Sequence, residues 1–182
     1  MKLQVFRRRS REKNREKRKK MEDTTKIISI LIALVAVLAL NGVAQAQAPA
    51  YGNEVTLDMA KKVMAAAEAE AKKNNWTVVI AIVDTHGPLV TLQRLDNTQT
   101  ASVKVAIEKA RTAAMFKRPS KALEDAVAGG RVAVLGMPGA TPIEGGLPPM
   151  ADSKIIGAIG VSGMTSQQDG QVAKAGVDAV GK

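Results

Sequence analysis

Between residues 56 and 74 the apolar side chains recur at helical spacing. Leu57, Ala60, Val63, Met64, Ala67 and Ala71 fall on one side, while Lys61, Lys62, Glu68, Glu70, Lys72 and Lys73 lie mostly on the other. With Thr56 as N-cap, this predicts an amphipathic helix of about five turns ending at Asn74-Asn75. The run 76–84, WTVVIAIVD, is β-branched and apolar without alternation, which suits a central strand covered on both faces. Asp84-Thr85-His86-Gly87-Pro88 is a turn, and 89–94 return as the hairpin partner. Val103, Ala106, Ile107, Ala110, Ala113 and Ala114 mark a second helix over 100–116, and a short third helix spans 120–128 before Gly129-Gly130 stops it. Residues 132–135 are expected as a short strand, 137–149 as a shaped Gly/Pro loop, 147–150 as a brief edge strand, 155–161 as the last strand and 166–180 as a closing helix. The order α-β-β-α-α-β-β-β-α, with hairpins in place of regular βαβ alternation, implies an antiparallel sheet with helices packed on it.

Ahead of this domain the pattern changes. Residues 1–20 hold eleven Lys/Arg against Glu12 and Glu16, and 27–40 form a charge-free apolar run, IISILIALVAVLAL. Two A-x-A frames follow, Ala44-Gln45-Ala46 and Ala46-Gln47-Ala48. A basic lead, a short apolar core and a small-residue ending describe a secretory signal peptide over 1–46. The cut is expected after Ala46, because the second frame would place Pro49 just behind it. Residues 47–55 then form a linker and 56–182 the working domain. The apolar run is shorter than the roughly 18–20 residues of a stable membrane anchor. An uncleaved anchor oriented by its basic lead is the alternative, and Met21 is an alternative start to Met1.

The whole chain has 182 residues and a formal charge of +10, and nearly all of that charge sits in the leader. The mature part therefore has no basic patch and no expected nucleic-acid partner. Its expected location is periplasmic or extracellular, with membrane contact only through an uncleaved leader. With no Cys, disulfides, thiolate zinc sites and cysteine nucleophiles are excluded, and a single His excludes a multi-His metal site.

Several residues carry candidate chemistry. Lys109 and Thr112 are three apart and share a helix face. Arg94 and Asp96 close the second strand, placed to bind a ligand, to pair with each other or to cap the next helix. Gly145-Gly146 leaves backbone N–H groups open to a carboxylate, as in an anion nest. Ser162 stands where it either meets an anion at the last helix or makes a tight turn. His86 is an iron ligand by residue type, but its place at a hairpin tip beside Gly87-Pro88 suits a solvated turn histidine instead.

Four motifs occur in a telling order: Ile82-Val83-Asp84-x-x-Gly87-x-Leu89-Val90 with Arg94-Leu95-Asp96; Lys109-Ala110-x-Thr112-Ala113; Gly145-Gly146-Leu147-Pro148; and 156–163, IGAIGVSG, with Gln168-Asp169 beyond. Together they resemble the GlcG/HbpS-like family, often described as haem-degrading or haem-binding, from about Thr56 to Val180. The resemblance implies a profilin-like α/β/α fold, three layers around a five-stranded antiparallel sheet, and homo-oligomers. It also implies an exported binding protein for haem or a related tetrapyrrole, with Thr112 meeting the iron and Lys109 or Arg94 holding a propionate. The alternatives are an enzyme on small hydroxy- or keto-carboxylates, with Arg94 gripping the carboxylate and Lys109 as acid/base, and a non-catalytic accessory subunit. The chain departs from some corrinoid-pathway relatives in having no histidine at the start of the first helix.

Overall fold

The computed structural model describes residues 48–181, together with Met21 and Lys26. Apart from those two residues, the leader expected over 1–46 lies outside the described residues, as do Gln47 and Lys182.

Helix α1 spans Leu57–Lys73, capped by Thr56, whose hydroxyl accepts the Met59 N–H at 3.2 Å. It buries Ala60, Val63, Met64, Ala67 and Ala71, the stripe expected from the spacing. Asp58 in its first turn and Lys72 and Lys73 in its last complement the helix dipole. Strand β1 (Val79–Val83) is buried at every position, and β2 (Leu89–Arg94) pairs with it antiparallel. Asp84 closes the hairpin turn by accepting the N–H groups of His86 and Gly87 at 2.7 and 2.9 Å. Helices α2 (Ser102–Met115) and α3 (Lys121–Ala128) follow.

Three expectations about strands give way. Residues 132–135 are not a strand: Val132–Gly136 is a 3-10 turn in which only Val134 is buried, and Val132 and Leu135 are 65% and 62% exposed. The segment closes its own Arg131–Val134 and Val134–Met137 backbone bonds and pairs with no strand. The edge strand expected over 147–150 divides at Pro148-Pro149, which have no N–H to donate. Leu147 ends β3 (Gly146–Leu147) and Met150 begins β4 (Met150–Ala151). The strand expected over 155–161 divides at Gly157, where a Cβ would lie 2.5 Å from the Val83 carbonyl oxygen. Ile155 belongs to β5 (Lys154–Ile155), which pairs with β4 and, through a parallel bridge, with Tyr51, and β6 covers Ala158–Ser162. Among the described residues the main sheet therefore has four strands, in the order β2-β1-β6-β3, and not five, and β4 and β5 form a separate two-stranded sheet. Helix α4 (Ser166–Val177) closes the fold behind a reciprocal capping box between Thr165 and Gln168.

The sheet is covered on both faces. On one, α1 and α4 pack Val63, Met64, Val172 and Ala173 against Val78, Ile80, Ile82, Ile159 and Val161. On the other, the alanines of α2 meet Val79, Ala81, Val83 and Ala158. Here the approach is backbone to backbone. A Cβ at Gly160 would lie 2.0 Å from the Ala106 carbonyl oxygen, and one at Gly146 would lie 2.2 Å from that of Lys109. Alanine on the helix and glycine on the strands are what allow α2 to sit so low.

Candidate functional site

That low seat brings Lys109 to the edge of the sheet beside β3. Its side chain is 2% exposed, and its ammonium donates to Asp169 Oδ2 at 2.8 Å. Asp169, also 2% exposed, lies in the first turn of α4, and its Oδ1 accepts the Met164 N–H at 3.0 Å. Burial pushes the Asp169 carboxyl above its ordinary range, against the downward pull of the Lys109 ammonium. Gly145 makes room for this pair. A Cβ there would lie 3.0 Å from Lys109 Nζ, 3.1 Å from Asp169 Cβ and 2.6 Å from the Val161 carbonyl oxygen.

One turn further along α2, Thr112 is fully buried. Its hydroxyl accepts the Thr141 N–H at 2.8 Å and donates to the Gly139 carbonyl at 3.3 Å. Ser120 makes the matching connection from the start of α3, donating to the Ile143 carbonyl at 2.6 Å and accepting the Gly146 N–H at 2.9 Å. Two buried hydroxyls thus hold the Gly/Pro loop to the helices. Lys109, Thr112, Gly145 and Gly146 are gathered in one place, and the Gly146 N–H is committed to Ser120. Ser162 stands elsewhere, its buried hydroxyl donating to Ser102 at 3.2 Å across the α2–β6 contact.

His86 is set apart at the hairpin tip, its side chain 76% exposed, with Nδ1 3.0 Å from Glu54 Oε1 and 3.1 Å from Thr85 Oγ1. Tyr51 stacks on its ring with centroids 6.4 Å apart, and the Lys117 ammonium lies 4.1 Å from the Tyr51 centroid. Glu54, Asp84 and His86 each present a ligand atom within 4.8 Å of the others.

Arg94 and Asp96 share a third place. They line a groove of about 530 Å³ with Lys72, Trp76, Gln93 and Leu95, between the end of α1 and the end of β2. Arg94 Nη2 donates to the Thr98 carbonyl at 2.6 Å, and Lys72 pairs with Glu68 at 2.6 Å. The residues singled out in the sequence are therefore divided among a buried cluster, a hairpin tip and an open groove.

Sequence reasoning did not assign Asp169, Ser120 or Trp76 to a site. The available signals were an acid in the first turn of a helix, a serine just before α3, and the chain's single tryptophan.

The model for the family described as "Haem degrading protein HbpS-like" matches residues 55–178. This chain belongs to the HbpS-like family. Protein GlcG of Escherichia coli K12 is 46% identical over 104 residues, covering 57% of this chain and 78% of that protein. Among solved structures, a double mutant of HbpS from Streptomyces reticuli has a TM-score of 0.67 at 29% identity, covering 78% of this chain and 94% of that one. The structure of a PduOC:heme complex has a TM-score of 0.63 at 26% identity, covering 69% and 94%. The mixed α/β fold of this chain is similar to that of both solved structures.

Proposed function

We propose that this chain is an exported, homo-oligomeric binding protein for haem or a related tetrapyrrole. The observation that carries the reading is its membership in the HbpS-like family, together with its likeness to a protein solved as a heme complex.

The residues allow a test of fit. Haem is a flat apolar ring with two propionates and a metal at its centre. Thr112, the iron contact that the family resemblance implies, does not fit that role in this chain: it is fully buried, and its hydroxyl is engaged with Thr141 and Gly139. Lys109 is equally enclosed on Asp169. The open groove offers little to the ring, since only Trp76 and Leu95 are apolar among its charged and polar lining, and it places the Arg94 guanidinium where a carboxylate can meet it. His86 is exposed and supplies an imidazole for a metal.

Titration with hemin tests the reading. The expected result is a shifted Soret band that saturates near one haem per chain, and absence of saturable binding overturns it. Sedimentation of the same sample tests the homo-oligomer. Sequencing the amino terminus of the exported protein tests cleavage after Ala46.

A further inference from the structure

The hairpin tip gathers three side chains that neither the core nor the buried cluster uses. Glu54, Asp84 and His86 converge to within 4.8 Å, and no other trio of His, Asp or Glu does so among the described residues. They come from two stretches of chain that the fold brings together. Glu54 lies ahead of α1, and the backbone is tied down on either side of it. Gly52 N–H donates to the Ile155 carbonyl at 2.7 Å, and Val55 N–H to the Ile156 carbonyl at 2.6 Å. Asp84 and His86 belong to the turn between β1 and β2. Asp84 Oδ1 accepts the N–H groups of His86 and Gly87, which fixes the carboxylate and leaves Oδ2 for a ligand. The imidazole is held as well. Tyr51 stacks on it with the ring planes 27° apart, and the Tyr51 hydroxyl is anchored on the Ala114 carbonyl at 2.9 Å.

The separations suit a metal ion. Donors bonded to one small divalent cation at about 2.0–2.2 Å lie about 3.0–3.4 Å from one another. His86 Nδ1 and Glu54 Oε1 are already 3.0 Å apart, and the 4.8 Å limit leaves only a side-chain rotation to bring in the third donor. The donor set also selects among cations. Calcium takes about six to eight oxygens and magnesium keeps several of its waters, so neither gains from an imidazole nitrogen. One nitrogen with two carboxylate oxygens is a set that zinc accepts, with water completing the coordination. Water reaches the place freely, since the side chains of His86 and Glu54 are 76% and 55% exposed.

We propose that Glu54, Asp84 and His86 bind one zinc ion, which clips the stretch ahead of α1 to the β1–β2 hairpin. The ion replaces the Nδ1–Glu54 hydrogen bond with two metal bonds. Lys117, with its ammonium 4.1 Å from the Tyr51 ring centroid, brings a like charge to the same corner and weakens the site. The site stands independently of the tetrapyrrole reading.

Calorimetric titration of the untagged full chain in detergent with zinc chloride tests it, beside magnesium and calcium chloride. One zinc per chain is expected, with a Kd on the order of 10 µM. The thermal midpoint is expected to rise with zinc concentration, because the ion binds the folded chain. His86→Ala and Glu54→Gln are each expected to weaken zinc at least about tenfold. Asp84→Asn keeps an oxygen for the two turn N–H groups and is expected to weaken zinc less. Lys117→Ala is expected to tighten zinc about twofold. Asp178→Asn, at a surface carboxylate paired with Lys174, is expected to change nothing. Circular dichroism of each variant reports that it has folded. Zinc binding that survives all three ligand substitutions overturns the proposal, as does the lack of saturable binding up to about 1 mM. Equal binding of magnesium and calcium, unchanged in His86→Ala, reduces the cluster to an ordinary exposed acidic pair and also overturns it.

Discussion

The buried cluster around Lys109 and the open groove around Arg94 are built from the same residue types, a cation with a carboxylate nearby, yet they serve opposite ends. In the cluster every polar group has an internal partner: Lys109 has Asp169, Asp169 also has the Met164 N–H, and Thr112 has the Gly/Pro loop. No buried side-chain nitrogen or oxygen among the described residues lacks a hydrogen bond. In the groove Arg94 uses one donor on the backbone, and the rest of its fork is open. Polar groups satisfied inside the fold stabilise it, whereas those left partly satisfied at its surface are the ones that can bind.

The largest expected effect breaks the cluster. Asp169→Ala leaves the Lys109 ammonium buried without its counter-charge and is expected to cost about 3–5 kcal/mol. Urea melts read this as a fall in midpoint at constant slope. Replacing both partners, as in Lys109→Met with Asp169→Leu, is expected to recover most of that loss, because no charge then remains buried. If the double variant is as unstable as the single one, the buried charge is not the cause.

Next is Gly160→Ala, which places a methyl 2.0 Å from the Ala106 carbonyl oxygen and pushes α2 off the sheet. Its expected cost is about 1–3 kcal/mol. Thr112→Val is expected to cost about 1–3 kcal/mol by leaving the Thr141 N–H unpaired. Faster amide exchange in 137–149 with little change in α1 would locate that loss in the Gly/Pro loop.

A smaller effect depends on pH. Glu144 is held above its ordinary 4.5, first by burial and then by the neighbouring Glu124 and Asp125. A carboxyl raised in the folded state binds its proton more tightly there than when unfolded. The stability it contributes is therefore present below the unfolded value and lost as pH rises through the folded one. Glu144→Gln is expected to raise the thermal midpoint at pH 7, with the gain vanishing below about pH 4. A gain that persists unchanged into acid would show that the titration of Glu144 is not its source. The smallest effect on stability belongs to the groove: Arg94→Gln is expected to move unfolding by no more than about 0.5 kcal/mol. A larger loss would make Arg94 structural and erase the contrast with Lys109.

The helices were legible because burial follows their 3.6-residue period, and α1 buries the stripe read from the sequence. The hairpin was legible because Asp84 and Gly87 are turn chemistry. The fifth strand was misread because Val132, Val134 and Leu135 are strand-like by type, whereas two of them face solvent and the segment closes its own tight turn. The split at Gly157 was hidden inside an unbroken apolar run, since only the neighbouring Val83 carbonyl shows why no side chain fits there. At the candidate sites the three-residue spacing of Lys109 and Thr112 was visible. The burial of both, and the identity of their partners, were not.

Helix periods, turns, antiparallel order and family all follow from the amino-acid order alone, because they rest on local spacing or on motifs read in succession. That Lys109 meets Asp169 sixty residues away, that Thr112 holds a loop, and that Trp76 and Arg94 share a groove are outcomes of the folded chain. Those outcomes depend on how low α2 sits on β6 and β3 and on where α1 ends relative to β2. Long-range packing sets both distances, and no local pattern along the chain encodes them.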